Sequence, residues 1–256
     1  MINAYLRADG RKGIRNTVVV AYLVECAHHV SREIYYPFRE QGAHLIGFPG
    51  CFPNVYAHKM MERLCTHPNV GAALLVSLGC EGFNKGKLQE TVRKSGRPVK
   101  LIEIQSTGGT RKTIAEGKAW IEQTLKQLES TPRADMAIDE LIVGTICGGS
   151  DATSGLTANP AMGRAFDFLV EKNATCIFEE TGELIGMEHW MAKRAENPIL
   201  GEEIVKTVAK AAKYYATYGH ASIGPGNADG GLTTIEEKSL GAYAKSGQSV
   251  ISGIIK

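Results

Sequence analysis

Gly71-Ala72-Ala73-Leu74-Leu75-Val76-Ser77-Leu78 is apolar almost without interruption, and its reading decides the fold class. A strand with one wet face alternates apolar and polar side chains. A strand buried on both faces runs apolar throughout, as parallel-sheet strands do. Upstream, residues 55–64 have a helical pattern and residues 44–48 and 17–24 read as strands. Val30, Ile34 and Phe38 carry a helix between those two strands. Downstream, a polar helix over 85–95 leads to a strand at 99–104. Thr110 is positioned to N-cap a helix in which Ile114, Ile121, Leu125 and Leu128 keep helical spacing. Ser130-Thr131-Pro132-Arg133-Ala134-Asp135 breaks that pattern and is the linker candidate.

A second series starts with a strand at 141–146 and a helix from Asn159-Pro160 to Glu171. Pro160 fits the first helical turn, where its missing N–H is not needed. A strand at 174–178 follows, then helices around 183–195, 202–218 and 233–245, and a final strand at 249–255. Repeated strand–helix units predict an α/β fold with two Rossmann-like, parallel-sheet domains, at 1–133 and 137–256. The chain stops one residue after the last predicted strand with no helix to cover it, so the second domain is expected to be truncated.

The length of 256 residues, with 43% hydrophobic and 22% charged, is ordinary for a soluble globular protein. Lys+Arg 29 against Asp+Glu 27 leaves a formal charge of +2, and no stretch concentrates basic residues as a nucleic-acid footprint would. The longest apolar runs are too short to span a bilayer. Residues 1–15 carry charges throughout and lack the apolar centre of a signal peptide. Neither nucleic acid nor membrane is an expected partner, and the cytoplasm is the expected location. The six cysteines, at 26, 51, 65, 80, 147 and 176, are then expected to be reduced, and their spacing matches no zinc finger.

In open parallel sheets, ligands bind outside the carboxyl ends of the strands. Cys26, Cys51, Cys80 and Cys147 each follow a predicted strand closely, which favours a shared role in metal ligation or redox chemistry. Packing is the expectation for Cys65 and Cys176. Cys147-Gly148-Gly149-Ser150-Asp151-Ala152-Thr153-Ser154-Gly155 lies between a strand and a helix. Its adjacent glycines allow close backbone approach, and its N–H groups can form an anion nest. Ser150, Asp151, Thr153 and Ser154 offer short donors and acceptors to a hydroxylated, carboxylated ligand. An ordinary glycine turn with a capping Ser or Asp competes with that reading.

Gln105-Ser106-Thr107-Gly108-Gly109-Thr110 is a second strand–glycine–helix turn. Glu179-Glu180-Thr181-Gly182-Glu183 gathers carboxylates at a strand end, suited to a hard cation or a general base, although Glu183 also suits a helix dipole. Pro225-Gly226-Asn227-Ala228-Asp229-Gly230-Gly231 leads to Glu236-Glu237-Lys238-Ser239, where Lys238 is a proton-transfer residue, a carboxylate anchor or a solvated helix lysine. Of the neighbours His28 and His29, at most one faces a site.

These stretches resemble the altronate/galactarate dehydratase family. The resemblance begins at Tyr5-Leu6-Arg7-Ala8-Asp9-Gly10-Arg11-Lys12-Gly13-Ile14-Arg15-Asn16 and continues through His67-Pro68-Asn69-Val70, Leu78-Gly79-Cys80-Glu81 and the two glycine turns. Ala158-Asn159-Pro160, Glu180-Thr181-Gly182-Glu183, Pro225-Gly226-Asn227 and Glu237-Lys238-Ser239-Leu240-Gly241 complete it in order. It implies loss of water between the α and β carbons of a sugar acid. It also implies a divalent metal, Fe2+ first and Mn2+ second, and a homodimer built by a dimerising domain followed by a Rossmann-like catalytic domain. Family members carry a small β-clip domain ahead of this region. Here it is expected as a separate small subunit, as in sulfolactate sulfo-lyase, a relative that eliminates sulfite. One departure touches the substrate: Phe48-Pro49-Gly50-Cys51-Phe52-Pro53-Asn54 lacks the histidine and glycine-rich turn of the altronate and galactarate branch.

Removal of a proton α to a carboxylate needs an enediolate held by positive charge, a base for the proton and an acid for the leaving hydroxide. Asp151 and Glu180 are the expected metal ligands, with Cys147 and Cys80 behind them. Lys238 and Glu183 are the proton-transfer candidates. Gly108, Gly109, Gly148 and Gly149, with Ser150, Ser154 and Asn227, are expected to hold the sugar acid. An iron–sulfur cluster stays open, although the cysteine spacing matches no standard pattern. The competing readings are a sulfo-lyase-type large subunit, a non-catalytic sugar-acid-binding protein and a scaffold subunit.

Overall fold

The computed structural model describes residues 1–179, 181–217, 219 and 223–255. The chain divides into two units, Met1–Met136 and Ala137–Lys256. The first runs β1 (Ile2–Leu6), β2 (Lys12–Gly13), β3 (Thr17–Tyr22), α1 (His28–Tyr35), β4 (Ala43–Gly47), α2 (Val55–Cys65), β5 (Val70–Ser77), α3 (Lys85–Lys94), β6 (Val99–Glu103), α4 (Ile104–Thr107), α5 (Thr110–Leu128) and β7 (Arg133–Met136). The strands β4-β3-β5-β6 form a parallel sheet in that order. Every residue of β5 is buried, as its unbroken apolar run requires.

Alternate residues of the central strands feed two different cores. Val18, Val20, Ala72, Leu74 and Val76 pack with Val30 and Ile34 of α1 and Ile121 of α5. Val19, Ala21, Ala73 and Leu75 pack on the other face with Met61 and Cys65 of α2 and Leu88 and Val92 of α3. The period of two thus gives each face its own helical cover. Gly117 lets α5 approach α1 closely, because a Cβ there would meet Ile34 at 2.5 Å.

Several expected boundaries are corrected. Residues 133–135 of the expected linker belong instead to strand β7, paired antiparallel with β1 in a separate sheet of order β2-β1-β7. The Arg133 guanidinium lies 3.9 Å above the Tyr5 ring across that pairing. Thr110 is the first residue of α5, whose N-cap is Gly109.

The Tyr5–Asn16 motif ties this small sheet to the parallel layer. Arg7 donates to the Pro68 carbonyl (2.6 Å), the Arg15 carbonyl (2.7 Å) and Asn16 Oδ1 (2.7 Å). Asn16 in turn donates to the Leu128 carbonyl and to Thr131 Oγ1, both at 3.0 Å. Asp9 pairs with Arg11 at 2.7 Å and with the buried Arg97 at 3.1 Å. The hydrogen bonds from the Arg11 side chain and backbone N–H, with a further one from Arg97, hold the Asp9 carboxyl well below the usual carboxylate range. Burial, together with the nearby Arg97 charge, lowers the Arg7 pKa to about 10.

The second unit contains β8 (Ile142–Ile146), α6 (Ala152–Leu156), α7 (Ala158–Glu171), β9 (Thr175–Glu179), α8 (Glu188–Ala192), α9 (Pro198–Thr217), α10 (Pro225–Asp229) and α11 (Ile235–Lys245). β8 and β9 pair in parallel, with Ile142 opposite Thr175 and Ile146 opposite Glu179. This two-stranded pair is half exposed, with Ile142 and Ile146 open to solvent. Its core is helical instead, gathering Leu184, Met191, Leu200, Ile204, Val208 and Ala242. Gly163 of α7 lies so close to α11 that a Cβ would collide with the Ala244 carbonyl.

The expected helix at 183–195 is broken by Gly186, whose φ of +89° few other residues adopt. The expected helix at 202–218 starts earlier, at Pro198, and Tyr218 lies outside the described residues. The expected strand at 249–255 is not one. Ile251 makes a single parallel bridge to Ala195, and side chains hold the start of the segment. Asp167 accepts hydrogen bonds from the Gln248 and Ser249 N–H groups and the Ser249 hydroxyl, and Arg194 donates to the Ser249 carbonyl.

Candidate active site

Strand β8 delivers Cys147 at its carboxyl end, and the chain turns through Gly148-Gly149-Ser150 into α6. A Cβ at Gly148 or Gly149 would meet nothing within 4 Å, so the turn presents bare backbone. Asp151 is the N-cap of α6. Its Oδ1 accepts hydrogen bonds from Thr153 Oγ1 (2.7 Å), the Ser154 N–H (2.6 Å) and Ser154 Oγ (2.9 Å). These bonds, the Thr153 hydroxyl first, lower its pKa. The capping role weighed from the sequence is therefore present at Asp151, beside an open glycine turn.

Helix α11 supplies the facing wall. Thr234 caps it by accepting the Glu237 N–H, and Glu237 reaches back to Thr233 and Thr234 in a capping box. The Thr233 N–H above all, with the Thr233 hydroxyl, lowers the Glu237 pKa. This fixes the first turn of the helix, which carries Lys238. Lys238 Nζ lies 3.4 Å from Glu183 Oε1, and the two side chains are only 10% and 14% exposed. Lys238 also donates to Asn227 Oδ1 at 3.5 Å, Asn227 Nδ2 donates to the Ser150 carbonyl at 3.2 Å, and Cys147 Sγ lies 3.5 Å from Glu183 Oε1. Cys147, Glu183, Lys238, Asn227 and Ser150 are thereby linked in one polar chain.

Apart from Asn227, which is not among the lining residues, that chain borders a pocket of about 300 Å³, at the small end of the range for small-molecule sites. Cys147, Gly148, Gly149, Ser150, Asp151, Ser154, Glu183 and Lys238 all line it. Of the other expected site residues, Glu180 lies outside the described residues. Cys80, Gly108 and Gly109 belong to the first unit. There Cys80 is exposed after β5, and Gly108 and Gly109, with φ of +95° and +97°, turn the chain from α4 into α5.

The comparisons with known proteins match both units of the chain. Residues 4–129 match the family pattern described as D-galactarate dehydratase/altronate hydrolase, second domain, and residues 138–256 match D-galactarate/altronate dehydratase, C-terminal. The chain belongs to the D-galactarate/altronate dehydratase family. An altronate dehydratase of Escherichia coli is 27% identical over 100% of this chain and 54% of its own length. The (2R)-sulfolactate sulfo-lyase subunit beta of Chromohalobacter salexigens is 31% identical over 95% of this chain and 64% of its own length. A galactarate dehydratase (L-threo-forming) of Escherichia coli is 32% identical over 77% of this chain and 40% of its own length. The chain spans about half the length of the curated relatives it matches.

The family resemblance implies a divalent metal, which the described donors can be tested against. Among the described residues, no three His, Cys, Asp or Glu side chains gather as a metal-binding set. Oδ1 of Asp151 caps α6, and Glu183 is engaged by Lys238. The described residues alone therefore do not fit a complete ion site. Cys65 is buried, which pushes its thiol up to about 12, and Cys176 Sγ lies 3.9 Å from the Phe166 carbonyl, so both are packing residues as expected.

Sequence reasoning gave no site role to several residues of the pocket wall, among them Asn159, Glu237 and Lys245. Lys245 stands seven positions after Lys238, two turns along the same helix face. That spacing was readable, but the sequence alone did not show that this face is buried.

Proposed function

We propose that the second unit carries the proton-transfer machinery of a sugar-acid hydro-lyase acting on a polyhydroxy carboxylate of the altronate or galactarate type. The observation that carries the reading is the sequestered Glu183–Lys238 pair facing an open glycine turn across one pocket. The substrate carboxylate rests on the N–H groups of the Gly148-Gly149 turn, where backbone donors offset its charge. Glu183 removes the proton from the α carbon, and the Lys238 ammonium stabilises the enediolate that forms. As the β C–O bond breaks, Lys238 gives a proton to the leaving hydroxide and the electron pair of the former C–H bond becomes the C=C bond. The resulting enol tautomerises to the keto acid. Glu183 returns its proton to Lys238, which restores both groups.

A divalent ion, Fe2+ or Mn2+, would supply further positive charge to the enediolate. Glu180 and Cys147 would help to hold it. The first unit serves dimerisation in this reading, and a small β-clip subunit completes a cytoplasmic assembly. Among the described residues, no helix is long and apolar enough to cross a membrane.

A second reading is favoured by one observation. A relative of which this chain covers 64% is named as a (2R)-sulfolactate sulfo-lyase subunit beta. Elimination of sulfite uses the same α-proton removal with a different leaving group. The test supplies altronate, galactarate and sulfolactate with ferrous iron under anaerobic conditions and follows keto-acid formation and sulfite release. Keto acid from a sugar acid supports the hydro-lyase, sulfite alone moves the assignment to sulfo-lyase, and neither product overturns both.

A further inference from the structure

Three thiols of the first unit stand exposed beyond the carboxyl ends of its parallel strands: Cys26 after β3, Cys51 after β4 and Cys80 after β5. The loops of the last two are joined. The Gly82 N–H donates to the Cys51 carbonyl at 2.8 Å. A Cβ at Gly82 would meet the Phe52 ring at 2.7 Å, so glycine there lets the two loops close on each other. Further along, the Asn84 N–H donates to His58 Nε2 at 3.1 Å, and the Phe83 and His58 rings lie 4.2 Å apart. Cys80 precedes Gly82 by two residues, a span of about 7 Å at most. Its neighbour Glu81 turns inward, accepting the Ser77 hydroxyl and the Gly79 N–H, while Cys80 stays open to solvent. Both cysteines lie in bends outside every helix and strand. Bringing their Cα atoms to the roughly 4.4–6.8 Å of a disulfide therefore displaces no element. Among the described residues, no third His, Cys, Asp or Glu joins them as a metal-binding set. Two accessible thiols so placed are suited to react with each other.

We propose that Cys51 and Cys80 form a reversible, redox-sensing disulfide that ties the loop after β4 to the loop after β5. The oxidant is a small-molecule disulfide of the glutathione class. The Cys80 thiolate attacks one of its sulfurs, forms a mixed disulfide and releases one small thiol. The Cys51 thiolate then attacks the Cys80 sulfur, forms the protein S–S bond and displaces the second small thiol. Two protein thiols lose two electrons, the small disulfide gains them, and the two protein protons end on the released thiols. In a reducing compartment an exposed pair of this kind stays open and closes under oxidation, unlike a structural bridge. The bond closes a ring of about 30 residues containing all of α2 and β5, so its formation stabilises the first unit.

The experiment incubates the chain with oxidised glutathione, blocks the remaining thiols with N-ethylmaleimide and maps its peptides without reduction. The expected product is a peptide pair within one chain, joined through Cys51 and Cys80, free of glutathione and reopened by dithiothreitol. The oxidised chain should melt at least about 5 °C higher than the reduced one, a shift absent in Cys51→Ser and Cys80→Ser. Cys51→Ser should instead hold glutathione on Cys80, and Cys26→Ser should leave the link intact. Cys65, whose thiol burial pushes up to about 12, is the control that stays unmodified by glutathione. A link through Cys26, a link between two chains, glutathione held stably on wild-type Cys51 or Cys80, or no reaction at either thiol overturns the proposal. The wild-type peptide map decides it even where a serine variant fails to fold.

Discussion

Two stretches that carried the family resemblance, Tyr5–Asn16 and Cys147–Ser154, have opposite fates in the structure. In the first, Arg7, Asp9 and Asn16 spend their hydrogen-bonding capacity on the chain itself, clasping a three-stranded sheet to the parallel layer. In the second, Gly148 and Gly149 are left bare over a pocket, while Asp151 caps a helix and accepts the Thr153 and Ser154 hydroxyls beside them. Both stretches are polar, glycine-containing and motif-like. What separates them is whether the protein satisfies its own donors, and that depends on residues far away in sequence such as Pro68, Leu128 and Glu183.

The contrast breaks if substitutions in the two stretches do the same thing. Glu183→Gln keeps the shape of the side chain and removes the base, so turnover should fall by about 10³-fold with the melting temperature little changed. Steady-state kinetics beside a melting curve checks both halves. Arg7→Met should do the reverse. It leaves two carbonyls and Asn16 without their donor, and should destabilise the first unit by about 3 kcal/mol in a denaturant titration while ligand affinity holds.

A smaller effect is expected at Asp9, where pH sharpens the contrast. Its folded pKa lies below the unfolded value of about 4, so its contribution to stability is present above that pH. The contribution is lost as pH falls through the folded value. Asp9→Asn should therefore lower stability at neutral pH and flatten its decline below about pH 4, as thermal melts across that window would record. The smallest effect is expected at Asp151. Replacing it with Ala removes the N-cap of α6 and should lower the melting temperature only slightly, and a large loss of metal binding or turnover would assign the carboxylate more than its cap.

The parallel sheet was legible because its signal is local. The run through Leu74-Leu75-Val76 and the alternation through Val18, Val19 and Val20 each need only neighbouring residues to be read. The small antiparallel sheet was not, because β1 and β7 lie at opposite ends of the first unit and each is too short and mixed to announce itself. Arg133 looked like linker for that reason. Ser249–Ile255 misled in the other direction, since an apolar, β-branched sequence can be pinned by Asp167 and Arg194 without joining a sheet.

In the pocket, Lys238, Glu183, Cys147 and the glycine turn were legible as chemistry-bearing residues at strand ends and helix starts. Their contact was not, because Glu183 and Lys238 are fifty-five positions apart and meet at 3.4 Å only through the packing of α11. Lys245 and Asn159 were passed over because a lysine at a helix end and an asparagine before a proline both have ordinary solvent roles.

The central claim is that Glu183, paired with Lys238, takes the α proton from a bound hydroxy acid. It is tested most directly by proton NMR of galactarate and altronate incubated with the protein in deuterium oxide. The account predicts that the wild type forms a keto acid carrying solvent deuterium at the carbon that lost its hydroxyl, where the enol is reprotonated, and that Glu183→Gln still binds the acid without doing so. Incorporation by Glu183→Gln at the wild-type rate would contradict it.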